Sequence, residues 1–101
     1  MADSAAFGWT CDELERRTDL DRLEARGTIR ISLKQAGLDS SRVKPHEMRA
    51  VIERVLPKEL VSRGIEGVEA LCARLASGVV HVSPGDVGES PDEVFRRLGG
   101  A

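Results

Sequence analysis

Start and stop signals for helices recur so closely along this chain that no element between them can be long. Gly37 and Gly64 each close an apolar stripe and each precede an apolar residue, Leu38 and Ile65. That is the pattern of a Schellman motif, in which a left-handed glycine folds the following side chain back onto the helix it ends. Pro45 with Glu47 marks a start, because proline at the first helical position gives up an amide that would have had no partner, and Val43 and Met48 are placed to staple across it. Thr10-Cys-Asp-Glu13 reads as a capping box flanked by Trp9 and Leu14, so the first helix is expected to begin at Cys11. Thr18-Asp-Leu-Asp21 offers a further cap, which leaves open whether residues 11–26 are one helix or two.

The intervening apolar spacing fills in the elements. Residues 28–33 alternate like a strand, yet Ile29, Leu33 and Ala36 also share one helical face, and the glycine stop at Gly37 decides for a helix over Thr28–Ala36. Met48, Val51, Ile52, Val55 and Leu56 follow the three-and-four spacing of a buried face until Pro57, which interrupts that helix or begins a new turn. Ile65, Val68, Leu71, Cys72 and Leu75 make the next stripe, ending at Gly78, and Gly67 falls in its first turn. Beyond it Val79–Val82 is extended in character, residues 83–89 have loop composition, and Ser90-Pro-Asp-Glu93 opens a short helix with Val94, Phe95 and Leu98 inward. The expectation is an all-α fold: a small orthogonal bundle of four to five short helices, with a C-terminal loop and short terminal helix. Residues 1–9 are expected as an N-terminal tail, 10–78 as the bundle, and 79–101 as an appendage, packed on it or mobile.

Composition agrees with helices and narrows the class. Aromatics are only 3% of 101 residues, with no tyrosine, so the core must be aliphatic. A chain of this length holds one domain, too small for a Rossmann or TIM-barrel catalytic unit. It contains no apolar run of the roughly 18–20 residues a membrane span needs, and its start lacks the basic and apolar regions of a secretion signal, so a cytoplasmic protein is expected. Cys11 and Cys72 lie far apart and read as reduced thiols rather than a disulfide framework. The formal charge is −2, and even residues 42–78 hold only seven cations against five anions, which argues against constitutive nucleic-acid binding.

Chemistry is hard to assemble from what remains. Nucleophilic catalysis needs a base within reach, and His46 and His81 are the only imidazoles. Cys11, in the expected first turn, gains thiolate character from the backbone amides and loses it to Asp12 and Glu13. Cys72 belongs to an apolar stripe and reads as a core thiol. Cys11, His46, Cys72 and His81 share no metal-binding spacing, so no metal and no cofactor is expected. Ser41-Arg-Val-Lys44 matches the Ser-x-x-Lys pattern of penicillin-recognising enzymes, but those need partner motifs and a larger domain.

Two short stretches resemble parts of known families. Gly64-Ile-Glu-Gly67 resembles the hairpin of helix-hairpin-helix DNA-binding modules, with the second glycine one residue late and Glu66 and Glu69 where phosphate would approach. That resemblance implies a nucleic-acid-binding helical module using this turn with Arg63 and Arg74. Gly37-Leu-Asp-Ser40 resembles the Asp-Ser of acyl carrier proteins, with Ser41 where that family has an apolar residue, and implies a carrier modified at Ser40. The most pointed surface feature is a row of cations, Arg22, Arg26, Arg30 and Lys34, four residues apart and sharing a sector if one helix carries them all. The preferred expectation is a small non-enzymatic helical protein that binds another protein. Its candidate surfaces are the Arg22–Lys34 row and the helix around Pro45–Leu56, where a stripe too wide for one neighbour would leave Met48 and Val55 as a groove or dimer face.

Overall fold

A computed structural model describes residues 3–82, which form five helices: α1 (Ala5–Arg17), α2 (Arg22–Gln35), α3 (Pro45–Arg54), α4 (Leu56–Ser62) and α5 (Val68–Val79). The fold is a small all-α bundle with no strand among the described residues. The expected loop at 83–89 and terminal helix with Phe95 and Leu98 lie outside them.

The first helix begins six residues before the expected Cys11. The Ser4 hydroxyl accepts from the Phe7 amide at 3.1 Å and caps α1, so residues 5–9, expected as tail, are helical. Thr10 is no cap: its hydroxyl donates to the Ala6 carbonyl one turn back, at 2.8 Å. Glu13, instead of reaching back to it, holds Arg16 and Arg17, each at 3.0 Å. Burial of Ala6 and Phe7 makes the earlier start worthwhile. Trp9 does not staple its own helix; its ring lies against Gly78 of α5.

The stretch expected as one helix or two divides at 18–21. Thr18 ends α1, and Asp21 with Glu24 forms a reciprocal capping box at the start of α2. From there α2 runs unbroken through Gly27, so Thr28 is an interior residue whose hydroxyl donates to the Glu24 carbonyl at 2.7 Å. Glycine inside a helix costs about 1 kcal/mol, and one continuous buried face of Ala25, Ile29 and Leu33 outweighs that.

The glycine stops are where they are expected. Leu38 N–H donates to the Leu33 carbonyl at 2.9 Å around Gly37 (φ 75°), and Ile65 N–H to the Leu60 carbonyl at 3.1 Å around Gly64 (φ 79°). Pro45 opens α3, with the Glu47 carboxylate accepting from the Lys44 amide at 3.0 Å. Two details differ. Gly67, at φ 65°, precedes α5 as its cap rather than joining its first turn. Val79 completes α5, and 80–82 is a turn rather than extended chain, with His81 N–H donating to the Gly78 carbonyl at 3.1 Å.

One core joins the helices. Phe7, Leu14, Ile29, Leu33, Met48, Ile52, Leu56, Leu60, Leu75 and Val79 are sealed in it. Helix α5 packs along α3 and also touches α1 and α4, while α1 lies along α2.

Candidate functional site

Because α2 is continuous, the four cations do lie on one helix, but each step of four residues turns the row by about 40°. Over three such steps the row spans about 120° of the circumference of α2. Arg26 pairs with Asp3 and lies 5.2 Å from the Phe7 ring centre; Arg30 lies 5.4 Å from the same centre and 3.6 Å from Asp3. These two guanidinium groups close the α1–α2 seam over a fully buried ring. Arg22 and Lys34, at opposite ends, are exposed. The sequence hid the role of the middle pair because Asp3 and Phe7 fall in the segment expected as tail.

A groove runs along the outer side of α3. Ala36 and Leu38, from the turn that ends α2, form one wall; Ala50 and Val51 of α3 with Val55 at its C-cap form an apolar floor; His46, Glu47 and Arg54 rim it, around a volume of about 340 Å³. The Schellman turn places Leu38 here by folding it back toward Leu33, half-buried. Of the residues expected for such a groove, Val55 lines it, but Met48 is fully buried in the core. Met48 lies on the side of α3 that its neighbours cover, and the groove instead uses Ala50, a small residue outside the expected stripe. A second depression, about 320 Å³, lies beyond Leu38 and is lined by Arg30, Leu33, Lys34, Leu38, Asp39 and Ser40.

The acids around these hollows are turned to local backbone duties. Glu47 caps Lys44 N–H, and Asp39 accepts from the Ser41 amide and hydroxyl, each at 2.8 Å, which holds its carboxyl below the usual range. Lys34 and Arg54 make no ion pair among the described residues.

A third cleft, about 520 Å³, separates the end of α1 from the Gly64–Glu66 turn. Its charged lining of Arg16, Arg17, Asp19 and Glu66 balances in sign, and both arginines already hold Glu13. Arg63, the C-cap of α4 just before the Gly64–Gly67 turn, is paired with Glu59 at 3.1 Å, while Arg74 stands exposed on α5. Ser40 donates to Asp3 at 3.2 Å, its carbonyl accepts from Ser4 N–H at 2.9 Å, and α3 begins only at Pro45.

Neither thiol is poised to react. Cys11 lies in the middle of α1, not in a first turn, and burial pushes it up to about 12; burial pushes Cys72 up to about 11. No group of three or more His, Cys, Asp or Glu side chains among the described residues could hold a metal ion. No helix there is long and apolar enough to cross a membrane. Compared with family models, curated proteins and solved structures, the chain matches none of them.

Proposed function

We propose that this chain is a non-enzymatic, cytoplasmic helical module that binds another protein through the α3 groove. The observation that carries the reading is the apolar floor of Ala50, Val51 and Val55 in a groove at the surface of the bundle. Concave apolar surface with a polar rim is the usual form of a recognition site. Two further features support the reading. Both thiols are held protonated by burial and are free rather than disulfide-bonded, which suits a reducing compartment and leaves them without a nucleophile's role.

The test is a paired capture. Wild-type chain and Ala50→Arg, which fills the groove from an exposed position, are used to retrieve partners, and each retained protein is then purified and titrated against both. The expected result is a partner that binds wild type and loses at least about tenfold in affinity for the variant, a difference of about 1.4 kcal/mol, with the helical signal unchanged. Equal binding to both chains, or no specific partner, removes the groove from the reading.

A further inference from the structure

Residues 3 and 4 hold on to a distant part of the chain in a way that capping α1 does not require. Ser4 caps α1 with its hydroxyl, while its amide donates to the Ser40 carbonyl at 2.9 Å; the Ser40 hydroxyl donates back to the Asp3 carboxylate at 3.2 Å. Among the described residues these two bonds alone join residues 39–43 to any other part of the chain. The remaining hydrogen bonds of that stretch are internal, with the Ser41, Arg42 and Val43 amides all turned back onto Asp39. Leu38, half-buried, and Val43, buried, pack at its two ends, so what lies between them is positioned by residues 3 and 4.

Asp3 is in turn held by charge. Its carboxylate pairs with Arg26 and lies 3.6 Å from Arg30, and it is the one ion-pair partner of either among the described residues. The two guanidinium groups stand one turn apart on α2, 5.2 and 5.4 Å from the centre of the same buried Phe7 ring. Like charges at that spacing repel, and Asp3 offsets both. The side chains of Asp3 and Arg26 are each only 23% exposed, so solvent screens this pair less than it would a surface pair. Removing the carboxylate therefore undoes two things together: the arginines lose their counter-charge, and Ser40 loses its acceptor.

We propose that residues 3 and 4 are a latch whose release loosens the 39–43 stretch, and with it the Leu38 wall of the α3 groove, while the helical bundle stays folded. Leu38 adjoins that stretch in the chain and lines both the groove and the second depression, which Asp39 and Ser40 also line, so one contact sets the shape of two hollows. The helices themselves have other anchors: Ala6 and Phe7 bury the start of α1, and Met48, Val51 and Ile52 bury α3. Segments with few buried contacts and solvent-exposed hydrogen bonds open at a lower free energy than the whole fold, and Asp39, Ser41 and Arg42 are all exposed. The latch holds whether or not the groove binds a protein.

Native-state amide hydrogen exchange on the full chain tests it, with wild type set beside Asp3→Ala and Asp3→Asn. The asparagine keeps an acceptor for Ser40 and loses the charge. In Asp3→Ala the Ser4, Arg42 and Val43 amides are expected to exchange about tenfold faster or more, measured relative to the Ile52 and Leu75 amides inside α3 and α5. The Leu38 methyl signals are expected to shift in the same variant. Asp3→Asn is expected to accelerate the same three amides by a smaller factor. If every amide accelerates by one common factor, Asp3 adds to global stability and nothing more. If exchange at Arg42 and Val43 keeps its wild-type rate, the stretch is held by its own turn; either result overturns the latch.

Discussion

Gly27 and Gly78 both sit inside helices, and what separates them is one neighbour. A Cβ at Gly27 would meet nothing within 4 Å, whereas one at Gly78 would stand 2.5 Å from Cη2 and 2.7 Å from Cζ2 of Trp9. Alanine is favoured over glycine in a helix by about 0.5–1 kcal/mol, so Gly27→Ala is expected to stabilise the protein by that amount. At Gly78 the same gain is opposed by overpacking worth about 1–3 kcal/mol, and Gly78→Ala is expected to destabilise. Urea unfolding measures both, and because Trp9 is the sole tryptophan its emission should also shift in Gly78→Ala and not in Gly27→Ala. The thiols make a second residue-scale prediction. Cys11 and Cys72 have folded pKa values of about 12 and about 11 against 9.0 when exposed, so between those values the unfolded chain binds fewer protons than the folded one. Their contribution is full below pH 9 and is lost as pH rises from 9 toward 12. Stability followed across that window should decline more steeply in wild type than in Cys11→Ala/Cys72→Ala, and an equal decline would show that the thiols ionise alike in both states.

Helix boundaries show which signals are decided locally. Asp21 caps α2 through the Glu24 amide at 2.8 Å, so Asp21→Ala is expected to cost about 1 kcal/mol, while Asp21→Asn retains most of the stability; thermal melts distinguish them. The stops at Gly37 and Gly64 and the start at Pro45 were legible in the sequence because left-handed glycine and N-terminal proline act on their own few residues of backbone. The start of α1 was not. Thr10 can cap a new helix or donate to Ala6 within an existing one, and the choice was made by burial of Ala6 and Phe7 against the rest of the bundle. Gly27 fails as a boundary for the same reason, since the face it would interrupt is buried on both sides of it. The groove was half-legible: the apolar stripe of α3 is visible in the spacing, but which members face inward depends on the neighbouring helices. Met48 went to the core, Val55 to the groove, and Ala50 joined it because it is too small to close it.

At the scale of the whole molecule, the single core has a consequence for how the bundle comes apart. Residues from every helix meet in it, and the N-terminal residues are tied to distant chain as well, Asp3 to Arg26 and Ser40, and Ser4 to the Ser40 carbonyl. No helix can leave without exposing the surface that holds another. Met48 on α3 is fully buried, as is Ile52 one turn on. Ile52→Val removes one methyl group and is expected to cost about 0.5–1.5 kcal/mol, and Met48→Ala about 2–5 kcal/mol, a large share of the roughly 5–15 kcal/mol that stabilises a domain. Trp9 reports on the α1–α5 contact and the far-ultraviolet helical signal reports on all five helices. If the core is one cooperative unit, both probes should move to the same lower denaturant midpoint in each variant. If α3 with its groove unfolds separately, the helical signal would begin to fall before tryptophan emission changes, and the separation would widen from Ile52→Val to Met48→Ala. Coincident transitions are the expected result, because α3 packs most extensively on α5, the same helix that carries Gly78 under the Trp9 ring.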